Sequence, residues 1–535
     1  MSGGDGLEFD YVIIGAGSAG CVLAERLSQD RDVTVCVLEA GGSDNKAVIK
    51  TPMLLQFAIT NPAINWDYWT EPQKNLNDRA LYWPRGKTLG GSSSINAMHY
   101  MRGALENYDE WESAYGATGW DGDAALEAFR AVENNENHGG PFHGQGGPLN
   151  VKTIGPLNPL THRYFEACRR RQIPENDDHN GARQEGFGTY QVTQKAGKRW
   201  SAADAFLKPA MQRPNLSVVT DAMAHRVVLE NGEARGVLIE IDGEMKTVTA
   251  RREVILSGGA INSPQLLMLS GIGPADHLRE VGVSVEHDLP GVGENLQDHL
   301  DILARARTKS AASIGYSARK FPATARDVLQ WALTGTGNFT VNPVQGCGFI
   351  RSSRARDLPD IQLVFIPALA SPHGRETMTG HGMSLHACHL YPQSRGQLRL
   401  KDADPRTPIM IDPNYLDHEE DVEVMTDCLE IARDILLSDA FDGEFQALDL
   451  PADPQAGRAA LTDEVRNRAE TLYHPTSTCA MGRGELAVTD PECRVRGVKG
   501  LRVVDASVMP RIVGGNTNAP TIMIATRAAD MIRSS

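Results

Sequence analysis

Three stretches of the chain carry residues whose types and spacing can do chemistry. In "ETLYHPTSTCAMG", residues 470–482, His474 stands directly before a proline. An imidazole titrates near neutrality and can take a proton from a reacting group. Read alone, the stretch allows a packed histidine, a metal ligand shared with Cys479, or a general base. In "GAGSAG", Gly15, Gly17 and Gly20 fall in GxGxxG spacing around Ser18 and Ala19. The first glycine permits a tight turn, the second lets backbone approach a pyrophosphate, and the third lets a helix pack on a strand. A bound pyrophosphate would then face the helix N-terminus. In "GKTLGGSSSINAMHYMRG", residues 86–103, Gly90, Gly91 and three serines are crowded together. Small residues admit a flat ligand, and their N–H and O–H groups bond its polar atoms. A metal site would need more than His474 and Cys479. The other candidate, "LHACH" at 385–389, read as a strand puts His386 and Cys388 on one face and His389 on the other. No spacing matches a zinc pattern, so no metal is expected.

These residues need elements to hold them. "FDYVII" (9–14) reads as a buried strand, and Ala19, Val22, Leu23 and Leu27 form one face of a following helix. "VTVCVLE" (33–39) reads as a second strand ending at Glu39 and Ala40, where a carboxylate can accept ribose hydroxyls. That βαβ unit predicts a parallel sheet covered by helices. Further strands, "REVILS" and "LRVVDAS", run into the small-residue turns Gly258-Gly259-Ala260 and Asp505-Ala506-Ser507. Several such turns suit a long, permanently held flavin better than a nicotinamide. Pro475 disfavours the helical region at His474, so a preceding helix is expected to end there and aim the ring. Pro520 is expected to open a C-terminal helix, "TIMIATRAADMI", whose positive end suits negative charge on a reduced flavin. Residues 136–150 form a glycine- and proline-rich loop, a candidate domain crossing. From 311 to 469 no nucleotide-type turn occurs, and stretches such as "IQLVFIPAL" and "GQLRL" suit an antiparallel sheet. The expected division is a discontinuous nucleotide domain (1–155, 195–310, 470–535) with a substrate domain (156–194, 311–469).

Composition limits the partners. At 535 residues the chain exceeds one ordinary core. A formal charge of −15 disfavours nucleic acid and anionic surfaces. The acidic start "MSGGDGLEFD" has no secretory pattern, and no apolar run approaches the roughly 18 residues of a membrane span. Eight scattered cysteines without a CxxC pair suit reduced thiols. A soluble cytoplasmic protein is expected, with peripheral contact at the inner face of a membrane and homo-oligomerisation left open.

The motifs together resemble one family, the glucose–methanol–choline (GMC) flavoprotein oxidoreductases. "GKTLGGSSSINAMHYMRGALENYD" is similar to its first signature and "GAINSPQLLMLSGIG" (259–273) to its second; "GVGENLQDH" (291–299) and "VVDASVMPRIVGGNTNAPTIMIA" (503–525) also match. The likeness runs from Tyr11 to Met531 and is strongest to bacterial alcohol and choline dehydrogenases, with polyethylene-glycol dehydrogenases also near. It implies an α/β, GMC-type two-domain fold: a Rossmann-like FAD-binding domain with an inserted α+β substrate domain on an antiparallel sheet. FAD contacts are implied at Gly15, Gly17, Gly20, Glu39, Gly90, Ser93, Asn96, Val227, Asp505 and Asn516, with their neighbours Ser18, Ala19, Ala40, Ala97, Ala506 and Thr517. Ile95 stands where some relatives carry a flavin-linking histidine, so non-covalent FAD is expected. His99, out of that register, reads as a packed histidine.

The resemblance also puts a catalytic base at His474 and its partner at Asn518, which can bond the developing alkoxide without titrating. Trp66, Phe339, Val341 and Asn342 are candidates for the pocket wall. Gln345 stands where relatives commonly carry glutamate, which favours a neutral alcohol over choline. The implied reaction is FAD-dependent oxidation of a primary alcohol to the aldehyde, with electrons passed to a quinone or other non-oxygen acceptor. Choline dehydrogenation, an oxygen-using alcohol oxidase and a GMC-fold hydroxynitrile lyase remain alternatives.

Overall fold

A computed structural model describes residues 7–315, 320–376 and 378–534; of the acidic start of the chain, residues 1–6 lie outside them. The opening strand, Leu7–Ile14, is buried from Asp10 onward and pairs in parallel with Val35–Leu38 on one side and Glu244–Leu256 on the other. The helix between, Ser18–Leu27, buries Ala19, Val22, Leu23 and Leu27, the face its apolar spacing predicts. Leu216–Val219 extends the sheet in parallel beyond Val35–Leu38. The long strand Glu244–Leu256 serves two neighbours along one edge. Its first half pairs antiparallel with Glu233–Ile241, and its last residues pair in parallel with Leu501–Val503. Met223–Glu230, Glu233–Ile241 and Glu244–Leu256 form a meander turned by Asn231-Gly232 and Asp242-Gly243. All four turn residues have positive φ, the pairing that two-residue hairpins require.

A second sheet is antiparallel throughout. Its order is Phe445–Leu450, Leu300–Thr308, Gly382–His389, Ile361–Ile366, Gly346–Ile350 and Gly186–Thr189, with Glu470–Thr471 also pairing to Leu300–Asp301. The expected division at 310 therefore falls too late, because Leu300–Thr308 is the second strand of this sheet. "GQLRL" is antiparallel but separate: Gln397–Arg399 pairs only with Met410–Asp412. The alternation of a strand explains how one sheet builds both core and site. Leu363, Phe365, Leu385 and Ala387 join the main core beside the helix Glu419–Leu436, while Val364, Ile366 and His386 face the cavity between the sheets. His389 points to the helix side, where Asp421 lies 3.7 Å away.

Two expected helix positions shift. The helix before His474 spans Arg458–Arg468, and a short strand, Glu470–Thr471, intervenes. The C-terminal helix starts at Asn518, with Pro520 in its first turn, where an N–H has no intrahelical partner in any case. The loop 136–150 is closed at its neck by parallel pairing of Glu133–Asn135 with Leu149–Thr153. All eight cysteines are free and buried. Among the described residues, no helix is long and apolar enough to cross a membrane.

Candidate active site

A cavity of about 1110 Å³ runs from the glycine loop to the antiparallel sheet. At one end the backbone is packed too closely for side chains. Gly15 sits at φ +98°, and a Cβ there would lie 2.5 Å from the Ser257 carbonyl oxygen. A Cβ on Gly20 would lie 1.9 Å from the carbonyl oxygen of Gly15. Gly17 differs: the nearest protein atom to its missing Cβ is 3.9 Å away, on the cavity wall. Glu39 is buried there, accepting the N–H groups of Ala16 and Gly41, each at 2.8 Å. Burial pushes its carboxyl up to about 7, against the opposing pull of those two N–H groups. Asp505 closes the other side. It accepts from Ser507 N–H and O–H, from Gly259 N–H at 2.9 Å and from Ser263 Oγ at 2.5 Å, and so ties the C-terminal loop to the start of the helix Gly259–Leu269.

At the other end His474 is held from three directions. Its backbone N–H donates to Asp298 Oδ1 at 2.7 Å. Its Nδ1 lies 2.9 Å from Nδ1 of His299, with the rings at 86°. Its Nε2 lies 3.1 Å from Nδ2 of Asn516. Asp298 is buried and also accepts the hydroxyls of Thr471, at 2.6 Å, and Tyr415. Gln297, two positions before His299, accepts the Ile512 N–H at 3.2 Å, which braces the loop carrying Asn516. Burial drives the His474 imidazole well below its ordinary range, and the neighbouring His299, Arg85 and His99 push the same way. The ring is therefore neutral at physiological pH, with a nitrogen lone pair available.

The structure brings together most of the residues read from sequence and relocates some. Gly15, Gly17, Ser18, Ala19, Glu39, Ala40, Asn96, Ala97, Asp505, Ala506, Asn516 and Thr517 line the cavity, as do Trp66, Phe339, Val341 and Gln345. Asn518 lines it too, but its Oδ1 accepts from Ser18 Oγ at 2.7 Å, and it is Asn516 that meets His474. Gly20, Gly90 and Ser93 are scaffold: the Ser93 hydroxyl donates to Gly90 O at 2.6 Å and accepts from Ala202 N at 3.0 Å. Ser92, not Ser93, faces the cavity. Val227 is a core residue whose N–H is taken by Ser270 Oγ; Ala222, Met223 and Ala224 line the cavity instead. Asn342 is likewise structural, its amide bonding Ala97 O at 2.6 Å and Val344 N–H at 2.9 Å. His99 lines the cavity, stacked on Tyr190 at 3.6 Å, with its Nε2 buried and unpartnered. His299, Asp298 and Gln297 were given no role from sequence, although "GENLQDH" contains all three.

Two family models described as GMC oxidoreductase match residues 9–301 and 392–525. The chain belongs to the GMC oxidoreductase family. This GMC oxidoreductase is 45% identical over 528 residues to an alcohol dehydrogenase [acceptor] of Pseudomonas putida, covering 98% of this chain and 95% of that protein. It is 42% identical over 535 residues to an oxygen-dependent choline dehydrogenase of Rhizobium etli, covering 98% and 96%. Its fold matches the crystal structure of pyridoxine 4-oxidase from Mesorbium loti with a TM-score of 0.88, at 32% identity and with 98% and 99% of the two chains covered. A formate oxidase of Aspergillus oryzae RIB40 superposes with a TM-score of 0.92 at 25% identity, with 99% of each chain covered. FAD is the cofactor of this oxidoreductase. The residues present fit it: the space beyond Gly17 would be filled by a side chain, and Glu39, Ser92 and Asn96 offer polar groups along the wall.

Proposed function

We propose that this enzyme oxidises a primary alcohol to the aldehyde, with His474 as general base and Asn516, rather than Asn518, as the group that holds the substrate oxygen. The observation that carries the reading is the pair formed by His474 Nε2 and Asn516 Nδ2, 3.1 Å apart on the wall of the cavity. A hydroxyl placed between them donates its proton to Nε2 and accepts the Asn516 N–H. As the O–H bond breaks, that N–H stabilises the growing negative charge on oxygen and adds no titrating group of its own. FAD, when bound, supplies the hydride acceptor for the carbinol carbon. Gly15, Gly17, Glu39, Asn96, Asp505 and Thr517 are the residues that would hold it. His474 must be neutral to act, and its buried surroundings secure that.

A neutral substrate fits the wall near Gln345, whose amide oxygen is taken up by Asn158 N–H at 2.7 Å and Thr161 Oγ1 at 3.0 Å and offers no charge to a quaternary ammonium. We assign the electrons to a quinone-like or dye acceptor rather than oxygen, on the strength of the 45% likeness to an acceptor-dependent alcohol dehydrogenase. Eight unpaired thiols support a reducing, cytoplasmic location.

The test is anaerobic mixing of the FAD-loaded protein with a panel of primary alcohols while the visible flavin band is followed. Bleaching is expected, with reoxidation faster by a quinone or dye than by oxygen. His474→Ala should slow bleaching by on the order of 10²-fold or more with FAD still bound. No bleaching with any alcohol, together with cyanide release from cyanohydrins, would replace oxidation by a lyase reaction.

A further inference from the structure

We infer that His299 is a positioning residue that sets which nitrogen of His474 carries the proton, leaving Nε2 as the accepting nitrogen beside Asn516 on the cavity wall. The inference rests on the proposed role of His474 and adds the reason that role is available. Hydrogen-bond donors and acceptors along one buried chain give a consistent assignment that starts at His299 and agrees with the groups beyond His474.

One end is a carbonyl. His299 Nε2 lies 3.0 Å from the Leu390 oxygen, which can only accept, so Nε2 of His299 carries a hydrogen. A neutral His299 then has a bare Nδ1. The His474 Nδ1 is 2.9 Å from that atom, and two bare nitrogens at this distance would repel, so His474 donates from Nδ1. Its Nε2 is left as an acceptor. The other end is Gln362. Its Nε2 donates to Asn516 Oδ1 at 3.1 Å and to the Tyr190 hydroxyl at 2.9 Å. With its oxygen so occupied, Asn516 turns its NH₂ to His474 at 3.1 Å, which agrees with an accepting Nε2. His299 is fully buried and burial holds it neutral, as the assignment requires.

The same arrangement serves the reaction. When Nε2 takes the substrate proton, His474 becomes an imidazolium whose Nδ1–H already points at the bare nitrogen of His299. That hydrogen bond then becomes charge-assisted and shorter. The O–H bond of the alcohol breaks and an N–H bond forms at Nε2; His299 gains no proton in this step. Without His299, the Nδ1–H of His474 would be buried and unpaired, and a half-turn of the Asn516 amide would let the ring take hydrogen on Nε2 instead, the tautomer that cannot act as a base.

The test compares wild type, His299→Phe, His299→Asn and Gln362→Leu as FAD-loaded enzymes labelled with ¹⁵N-histidine. Two-bond nitrogen–proton correlation spectra report the tautomer without any substrate, with His474 identified by its loss in His474→Ala. Wild type is expected to carry hydrogen on Nδ1 of His474, and His299→Phe on Nε2. Flavin reduction in His299→Phe should fall by about 10²-fold or more, chiefly in kcat rather than KM, as a wrong tautomer predicts. His299→Asn, whose amide oxygen can accept from Nδ1, should recover most of the rate. Gln362→Leu frees the Asn516 amide to turn while leaving His299 in place, so hydrogen should stay on Nδ1 of His474; a shift to Nε2 in this variant would assign the tautomer to Gln362 and overturn the inference, including where His299→Phe does not fold. Hydrogen on Nε2 in wild type, or wild-type reduction rates in a folded His299→Phe enzyme, would overturn the inference. If no alcohol bleaches the wild type, the proposed reaction fails, while the tautomer spectra still decide the role of His299.

Discussion

Asn516 and Asn518 are two residues apart, carry the same side chain and both line the cavity, so exchanging each for alanine separates the geometric assignment from the motif-based one. Asn516→Ala removes the N–H that lies 3.1 Å from His474 Nε2 and would contact the substrate oxygen. Loss of one preorganised donor to a developing oxyanion costs about 2.7–4 kcal/mol, or roughly 10²–10³ in rate constant. The truncation also leaves the Gln362 amide short of one acceptor, while Tyr190 still accepts from it. Asn518→Ala removes an acceptor for the Ser18 hydroxyl at 2.7 Å, a neutral bond of the kind that contributes about 0.5–1.5 kcal/mol. The rate constant for flavin reduction should therefore fall by about 10²-fold or more in Asn516→Ala and by less than about 10-fold in Asn518→Ala. Stopped-flow absorbance under nitrogen, with saturating alcohol and FAD occupancy checked by the visible spectrum, measures both. A large loss in Asn518→Ala beside a near-wild-type Asn516→Ala would refute the reasoning and return the role to Asn518.

Three further outcomes follow from the geometry. Gly20→Ala would set a methyl 1.9 Å from the Gly15 carbonyl, so the glycine loop must shift; purification without bound FAD and a stability loss of ~3 kcal/mol or more are expected, and a yellow, fully loaded variant would contradict the close approach. His143, buried between Glu133 at 3.2 Å and Asp178 at 2.9 Å, is pushed from its ordinary 6.5 up to about 8 by the two carboxylates against burial. A pKa raised on folding means the stabilisation is complete below about pH 6.5 and lost as pH rises through about 8, on the order of 2 kcal/mol in all. Urea midpoints of the wild type should fall between pH 6 and pH 9 more steeply than those of His143→Gln; equal slopes would remove His143 as the cause. Asp505→Asn keeps the shape but replaces one acceptor oxygen by a donor where Gly259 N–H and Ser263 O–H, or Ser507 N–H and O–H, converge. FAD affinity should drop by about 10-fold or more, read by fluorescence on dilution, and unchanged affinity would mean that the clamp is dispensable.

Local rules carried the sequence a long way. The glycine loop was legible because its needs are local: a strand, a positive φ at Gly15, a close approach at Gly20, then a helix with Ala19, Val22, Leu23 and Leu27 turned inward. The alternation of "IQLVFIPAL" foretold a strand with two different faces, and "ENGE" and "IDGE" hold hairpin turns that were open to the same reading. His474 stood out because its neighbours in sequence were unusual.

What the sequence left open were choices among chemically equal groups. Asn518 is the first residue of the last helix and Asn516 lies in the loop before it, so the two side chains leave differently directed stretches of backbone. Which of them meets His474 depends on the path of the preceding loop, and Gln297 fixes that path from more than two hundred positions away at Ile512. Val227 and Asn342 were assigned to sites by position, yet distant partners, Ser270 and Ala97, consume their polar groups. His474 and the glycines of the GxGxxG loop could be singled out from sequence alone. The ring's neutrality and its neighbours depend on tertiary structure, because hydrogen-bond complementarity and desolvation depend on which groups meet in space.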